Sequence, residues 1–133
     1  MDRTGARTAA MMLIYEWQMG GDGGEDTRMG LLGIRPDENE AGFMDSLVAG
    51  VQQSAQSLDE TIEQYAANWR IDRIERVTLA ILRLAIYELS HEEVPASVVI
   101  NEALELTSTY ASPESVAFVN GILGSVQRAG AEG

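Results

Sequence analysis

Glu102 and Glu105 stand three residues apart, a spacing that puts both carboxylates on one face of a helix. Paired carboxylates can do acid–base work or hold a divalent ion. The same spacing also suits a solvated face, or a salt bridge to an arginine such as Arg83. His91 is the one histidine and sits in the polar run Ser90-His91-Glu92-Glu93, where an exposed ring is expected. A single histidine excludes a multi-histidine metal site and disfavours a Ser-His-Asp triad. Asp22, Glu25 and Asp26 are close together, but not at the spacing of a calcium-binding EF-hand loop, and read as solvated charge. There is no cysteine, which excludes disulfides, cysteine-ligated zinc, iron–sulfur clusters and thiol catalysis. All nine basic residues are arginine, and without lysine there is no phosphate-binding P-loop. No nucleophile has a visible base. The residues predict a non-enzyme, with no metal and no cofactor.

Binding is the remaining class of function, and charge bears on it. The chain has 21 acidic residues, a formal net charge of −12 and a pI near 4.3. Residues 21–69 hold ten acids against Arg28 and Arg35, and residues 92–133 hold six acids against Arg128. Residues 1–20 are balanced by Arg3 and Arg7, and residues 70–91 carry Arg70, Arg73, Arg76 and Arg83 against Asp72, Glu75 and Glu88. Only these last two segments let nucleic acid approach without broad repulsion. Since phosphate neutralisation takes several basic side chains, charge alone argues against RNA binding.

These residues must be carried by helices. The length, 133 residues, suits a single domain with its own core. Residues 4–19 place Ala6, Ala9, Ala10, Leu13, Ile14 and Trp17 at helical spacing, and Gly20-Gly21 ends the run. Residues 20–38 are rich in glycine and acids and read as a loop, mobile at its tip. Helical spacing returns over 39–55, with Phe43, Leu47, Val51 and Ala55. Ser57-Leu58-Asp59-Glu60 has the form of a capping box, which predicts a new helix carrying Leu58, Ile62, Tyr65, Ala66 and Trp69. From Val77 to Leu89 the chain is apolar almost all round, the pattern of a central, buried helix. Pro95 precedes a helix over 98–110. Ser112-Pro113-Glu114 then starts a last one, running to about Arg128, with 130–133 frayed. No stretch alternates like a strand. The fold expected is all-α, with about six or seven helices in two packed bundles: an N-terminal one over 4–69 that includes the 20–38 linker, and a C-terminal one over 71–129. The apolar run Ala9–Tyr15 is cut off by Glu16, far short of a membrane span of about 20 residues. A soluble, cytoplasmic protein is expected.

Four blocks in order make the sequence specific: Ile81 to Leu89, Val94-Pro95, Val99-Ile100-Asn101-Glu102-Ala103-Leu104-Glu105-Leu106, and Ser115 with Phe118-Val119-Asn120-Gly121-Ile122-Leu123. Their order and spacing closely resemble the NusB family of transcription antitermination factors. A weaker match runs through Ala6-Arg7 with Tyr15 and through Phe43 to Val51. The resemblance implies the same all-helical fold. It also implies a role in which the protein pairs with NusE, a ribosomal protein, and the pair binds boxA, a short single-stranded RNA element. The complex then helps RNA polymerase read through terminators, notably in ribosomal RNA operons.

By the same resemblance, Arg3, Arg7, Tyr15, Glu114, Ser115 and Phe118 would touch RNA, and Tyr15, Arg76 and Thr78 the protein partner. Ser112, Glu114 and Ser115 can equally be helix caps, and Phe118 core. The arginine cluster usual in the family is thinned to Arg3 and Arg7. Thr78 stands where an acid is common, Ala117 where a lysine is common, and Gly124 where an aspartate is usual. These changes predict weak intrinsic RNA affinity that depends on the partner. The alternative is a helical protein–protein adaptor that keeps the fold but has little RNA affinity; Arg7→Ala is the substitution expected to separate the two. Some members of the family dimerise through surfaces that would otherwise take RNA, so the resemblance leaves monomer and homodimer as alternatives. The RNA-binding reading assumes that the N-terminal arginines and the start of the last helix lie side by side on one outer patch.

Overall fold

The computed structural model describes residues 1–132 apart from 23, 25, 36, 68 and 92. The expectations that touch Glu25, Glu92 and Gly133 lie outside those residues. Helix α1 spans Arg3–Gln18. Asp2 caps it, its Oδ1 accepting from the Gly5 N–H at 2.8 Å, which satisfies one of the free donors of the first turn. It buries Ala6, Ala9, Ala10, Met11, Leu13 and Ile14 and stops at Gly20, whose φ of +97° suits only glycine.

The expected loop over 20–38 contains a π-helical turn, Asp26–Leu31. Its wide geometry shows in the Leu32 N–H donating to the Thr27 carbonyl, five residues back, at 3.0 Å. Several contacts tie it down: Thr27 donates to Glu16 of α1 at 2.6 Å, Arg28 pairs with Asp45, and Ile34 is buried.

Helix α2, Ala41–Tyr65, is a single element of 25 residues. Two separate helices, one ending near 55 and one starting at 58, are therefore not what forms. Ser57 lies inside α2 and its hydroxyl donates to the Ser54 carbonyl at 3.0 Å, so the expected capping box is absent. No glycine or proline interrupts residues 51–65, and Val51, Leu58 and Ile62 continue one buried stripe. That continuous burial outweighs a local capping preference. Ala66 closes the helix, and Trp69, expected on the buried stripe, lies beyond it and is 53% exposed.

A 3-10 turn, Ile71–Arg73, leads into α3, Arg76–His91. Helices α4, Ala96–Tyr110, and α5, Pro113–Glu132, complete the chain. The last helix runs on through 130–132, where fraying was expected. Helix α3 is buried from Thr78 to Ile86 and packs against all four other helices, as its all-round apolar pattern predicts. Its contact with α2 is close: a Cβ on Gly50 would lie 2.0 Å from Tyr87 Cζ, so any larger residue there must displace the Tyr87 ring. Among the described residues there is no strand, and no helix is long and apolar enough to cross a membrane.

Candidate nucleic-acid interface

Arg7 projects from α1 into the interior and is 4% exposed. Its Nε and Nη2 donate to Glu88 of α3 at 2.9 and 2.6 Å, and Nη1 reaches Glu102 of α4 at 3.5 Å. The Glu88 hydrogen bond raises the Arg7 pKa, and the charges of Glu88 and Glu102 add to it against the opposing effect of burial. One guanidinium thus ties three helices together. Arg7 is a structural cross-link and presents no open face to RNA, because its charge is the compensation for the buried Glu88. Glu102 accordingly pairs with Arg7 and with the Thr4 hydroxyl at 2.7 Å. It does not pair with Arg83, which makes a two-pronged contact with Asp59 at 2.8 Å and donates to Gln18 at 2.9 Å.

Arg3 is half exposed; it pairs with Glu40 at 3.4 Å and lies 4.1 Å above the Phe43 ring. Beside it, Thr4 and Thr8 of α1 with Asn101, Glu105 and Tyr110 of α4 line an open groove. Tyr15 falls within about 40° of Thr4 and Thr8 around α1, so it continues that stripe; it is half-buried against the core.

The other expected residues gather elsewhere. Thr78, Glu114, Ser115 and Phe118 line a cleft of about 270 Å³ where the starts of α3 and α5 meet. Trp69, Arg73, Ile74 and Glu75 complete it, with the Trp69 and Phe118 rings edge to face at 6.2 Å. Ser112 and Ser115 share a hydrogen bond of 2.8 Å, a cap contact at the start of α5, while Glu114 stays exposed. Arg76 borders a neighbouring hollow with Arg70.

Helices α1 and α3 run antiparallel: Gln18 donates to the Arg76 carbonyl at one end, and Arg7 meets Glu88 at the other. Thr78 and Glu88 are ten residues apart on α3, about 15 Å at the usual helical rise. The N-terminal arginines and the start of α5 therefore mark two ends of the molecule and not one contiguous patch, joined along α1 and α4 by the groove that ends at Tyr110. Sequence reasoning put Trp69 on a buried stripe, and it named Arg70 and Arg73 only within a segment that nucleic acid can approach, not as site residues. The signal was present as an aromatic followed by arginines at 70, 73 and 76, the interleaving typical of single-strand binding.

Comparison with known proteins settles the family. A profile of the NusB family matches residues 4–128. The chain belongs to the NusB family. The transcription antitermination protein NusB of Acetivibrio thermocellus is 41% identical over 128 residues, which cover 95% of this chain and 88% of that one. Among solved structures, T. maritima NusB superposes with a TM-score of 0.81 at 27% identity, over 96% of this chain and 92% of that one. A structure of antitermination factors NusB and NusE in complex with double-stranded RNA matches with a TM-score of 0.83 at 27% identity, over 96% of each chain.

Proposed function

We propose that the protein is a transcription antitermination factor that binds boxA-type single-stranded RNA together with NusE and promotes read-through of terminators in ribosomal RNA operons. Its action is recognition, with no bond made or broken, and RNA polymerase is engaged through the assembled complex. The observation that carries this reading is the cleft at the start of α5. There an exposed aromatic, a second ring, hydroxyls and flanking arginines occupy one end of the molecule, the combination that stacks bases and holds a strand. The RNA-contacting set becomes Phe118, Ser115, Glu114 and Tyr15 with Arg3 at the far end; Arg7 acts behind the surface. Tyr15 and Arg76 face the protein partner in this reading; Thr78, expected beside them, is 2% exposed and reachable only from within the cleft.

The thin supply of free arginines limits what the protein holds alone. An anisotropy titration of a boxA-type RNA, with and without NusE, tests this. Weak binding alone that tightens with NusE is expected. Tight partner-free binding at physiological salt contradicts the predicted dependence, and no binding in either case contradicts the function.

A second reading, a helical adaptor without useful RNA affinity, is favoured by one observation: the arginine that the resemblance puts at the RNA surface is enclosed by two glutamates. Pulldown of the tagged protein from its own lysate separates the readings. Under the first, RNase strips RNA and weakens recovery of the partner; under the second, RNase changes nothing.

A further inference from the structure

Two features of the cleft between α3 and α5 call for a more specific occupant than a strand in general. Trp69 is 53% exposed; among the described residues the other large exposed apolar side chains are Met19, Met29, Val98 and Tyr110. An exposed indole costs solvation free energy unless something covers it. At the floor of the same cleft, Thr78 is 2% exposed and its hydroxyl has no hydrogen-bond partner. A buried hydroxyl without a partner is unfavourable. Threonine in a helix has two accessible χ1 states, so one rotation can exchange its methyl and its hydroxyl.

These two needs point to one kind of occupant. It must be flat, to lie on Trp69, and must carry a polar edge, to satisfy Thr78. We infer that the cleft takes one unpaired nucleobase of the bound strand, stacked on the exposed indole of Trp69 with its edge on the Thr78 hydroxyl. This inference rests on the RNA-binding reading above. It gives that site a defined subsite and adds Trp69 as a residue that touches RNA. The charge of the chain supports stacking as the main source of affinity. Arg70 is already engaged by Asp72 at 3.6 Å, and Arg76 by the Asp72 carbonyl at 3.3 Å. Arg73 alone lines the cleft as a cation, opposite Glu75 and Glu114. Few phosphates can be neutralised there, whereas a base stacked on an aromatic contributes regardless of sequence and salt.

The test uses the full chain with Trp17→Phe, so that tryptophan emission reports on Trp69 alone. It is titrated with the boxA-type single strand in the presence of NusE. Quenching of Trp69 on RNA addition is expected. Trp69→Ala should weaken RNA binding about tenfold or more without changing its salt dependence, and Trp69→Phe should keep most of the affinity. A series of RNAs with one abasic position each should contain one member that loses the quench, and for that member Trp69→Ala should cost nothing further. If RNA binds but Trp69 emission and the Trp69→Ala affinity are both unchanged, the subsite is wrong while the function stands. If NusE alone quenches Trp69 and RNA adds nothing, the cleft belongs to the protein partner and the inference is overturned. If the unsubstituted chain binds no RNA even with NusE, the function fails and the subsite with it. Circular dichroism of each variant shows whether it is folded, and the Trp69→Phe and abasic series stand even if Trp69→Ala is not.

Discussion

Arg7 and Glu88 show how one residue can be read correctly as important and wrongly as exposed. Their side chains are 5% and 7% exposed and meet at 2.6 Å. Removing one partner of such a pair leaves the other charge buried alone. Arg7→Ala should therefore destabilise the fold by about 3–5 kcal/mol, seen as a lower urea midpoint. Arg7→Met with Glu88→Leu should recover most of that loss, since replacing both charges removes the desolvation penalty. The same reasoning disqualifies Arg7→Ala as a clean probe of RNA contact. The pH dependence has a definite sign. The folded-state pKa of Arg7 is raised, chiefly by its hydrogen bond to Glu88, so its contribution is complete below the unfolded arginine value and fades only as pH rises through the raised one. Arg7 itself therefore adds no slope to stability around neutrality, which denaturation midpoints of wild type and Arg7→Met/Glu88→Leu between pH 6 and 9 will show as parallel lines.

At the scale of elements, caps and close approaches decide which local signals matter. Asp2 holds the Gly5 N–H at the start of α1, so Asp2→Ala should cost about 1 kcal/mol. Ser57 looks like a cap in the sequence but is interior to α2, so Ser57→Ala should change stability by no more than about 0.5 kcal/mol. The pair of substitutions, measured in one set of denaturation curves, reports directly on whether α2 is continuous. Gly50 behaves in the opposite way to an ordinary helical glycine. Alanine there gains helix propensity of about 1 kcal/mol, yet its Cβ would overlap the Tyr87 ring. Gly50→Ala should be destabilising by about 1–3 kcal/mol, and Tyr87→Leu in the same chain should relieve part of it.

For the whole molecule, the governing quantity is a net charge of −12 set against a few arginines at the ends of the groove. Single-strand binding loses affinity with salt by about 0.7 log units per log unit of salt for each phosphate neutralised. Even if binding drew Arg70 and Arg76 away from Asp72 to join Arg73, the three contacts would give a slope no steeper than about −2. Anisotropy titrations across a KCl series should find this shallow dependence, and Arg73→Ala should flatten it by about 0.7. A steep slope would mean that phosphates are held by groups outside this end of the molecule.

Periodicity is local, and so the helices were legible in the residues. The stripe Ala6–Ala10–Leu13–Ile14 of α1 and the all-round apolar run of α3 need only their own neighbours to declare a buried face. The ordered blocks from Ile81 to Leu123 carried the family in the same way. What distant residues do to a side chain is not local. Glu88 and Glu102 lie 81 and 95 positions from Arg7 in the chain, and only packing brings them to it and turns a surface charge into an internal tie. Trp69 has the right spacing to continue a buried stripe, but α2 ends at Tyr65 and leaves the ring outside. The antiparallel course of α1 and α3 likewise sets Arg7 and Phe118 at opposite ends, because direction in a bundle is a property of how helices stack and not of the residues within any one of them.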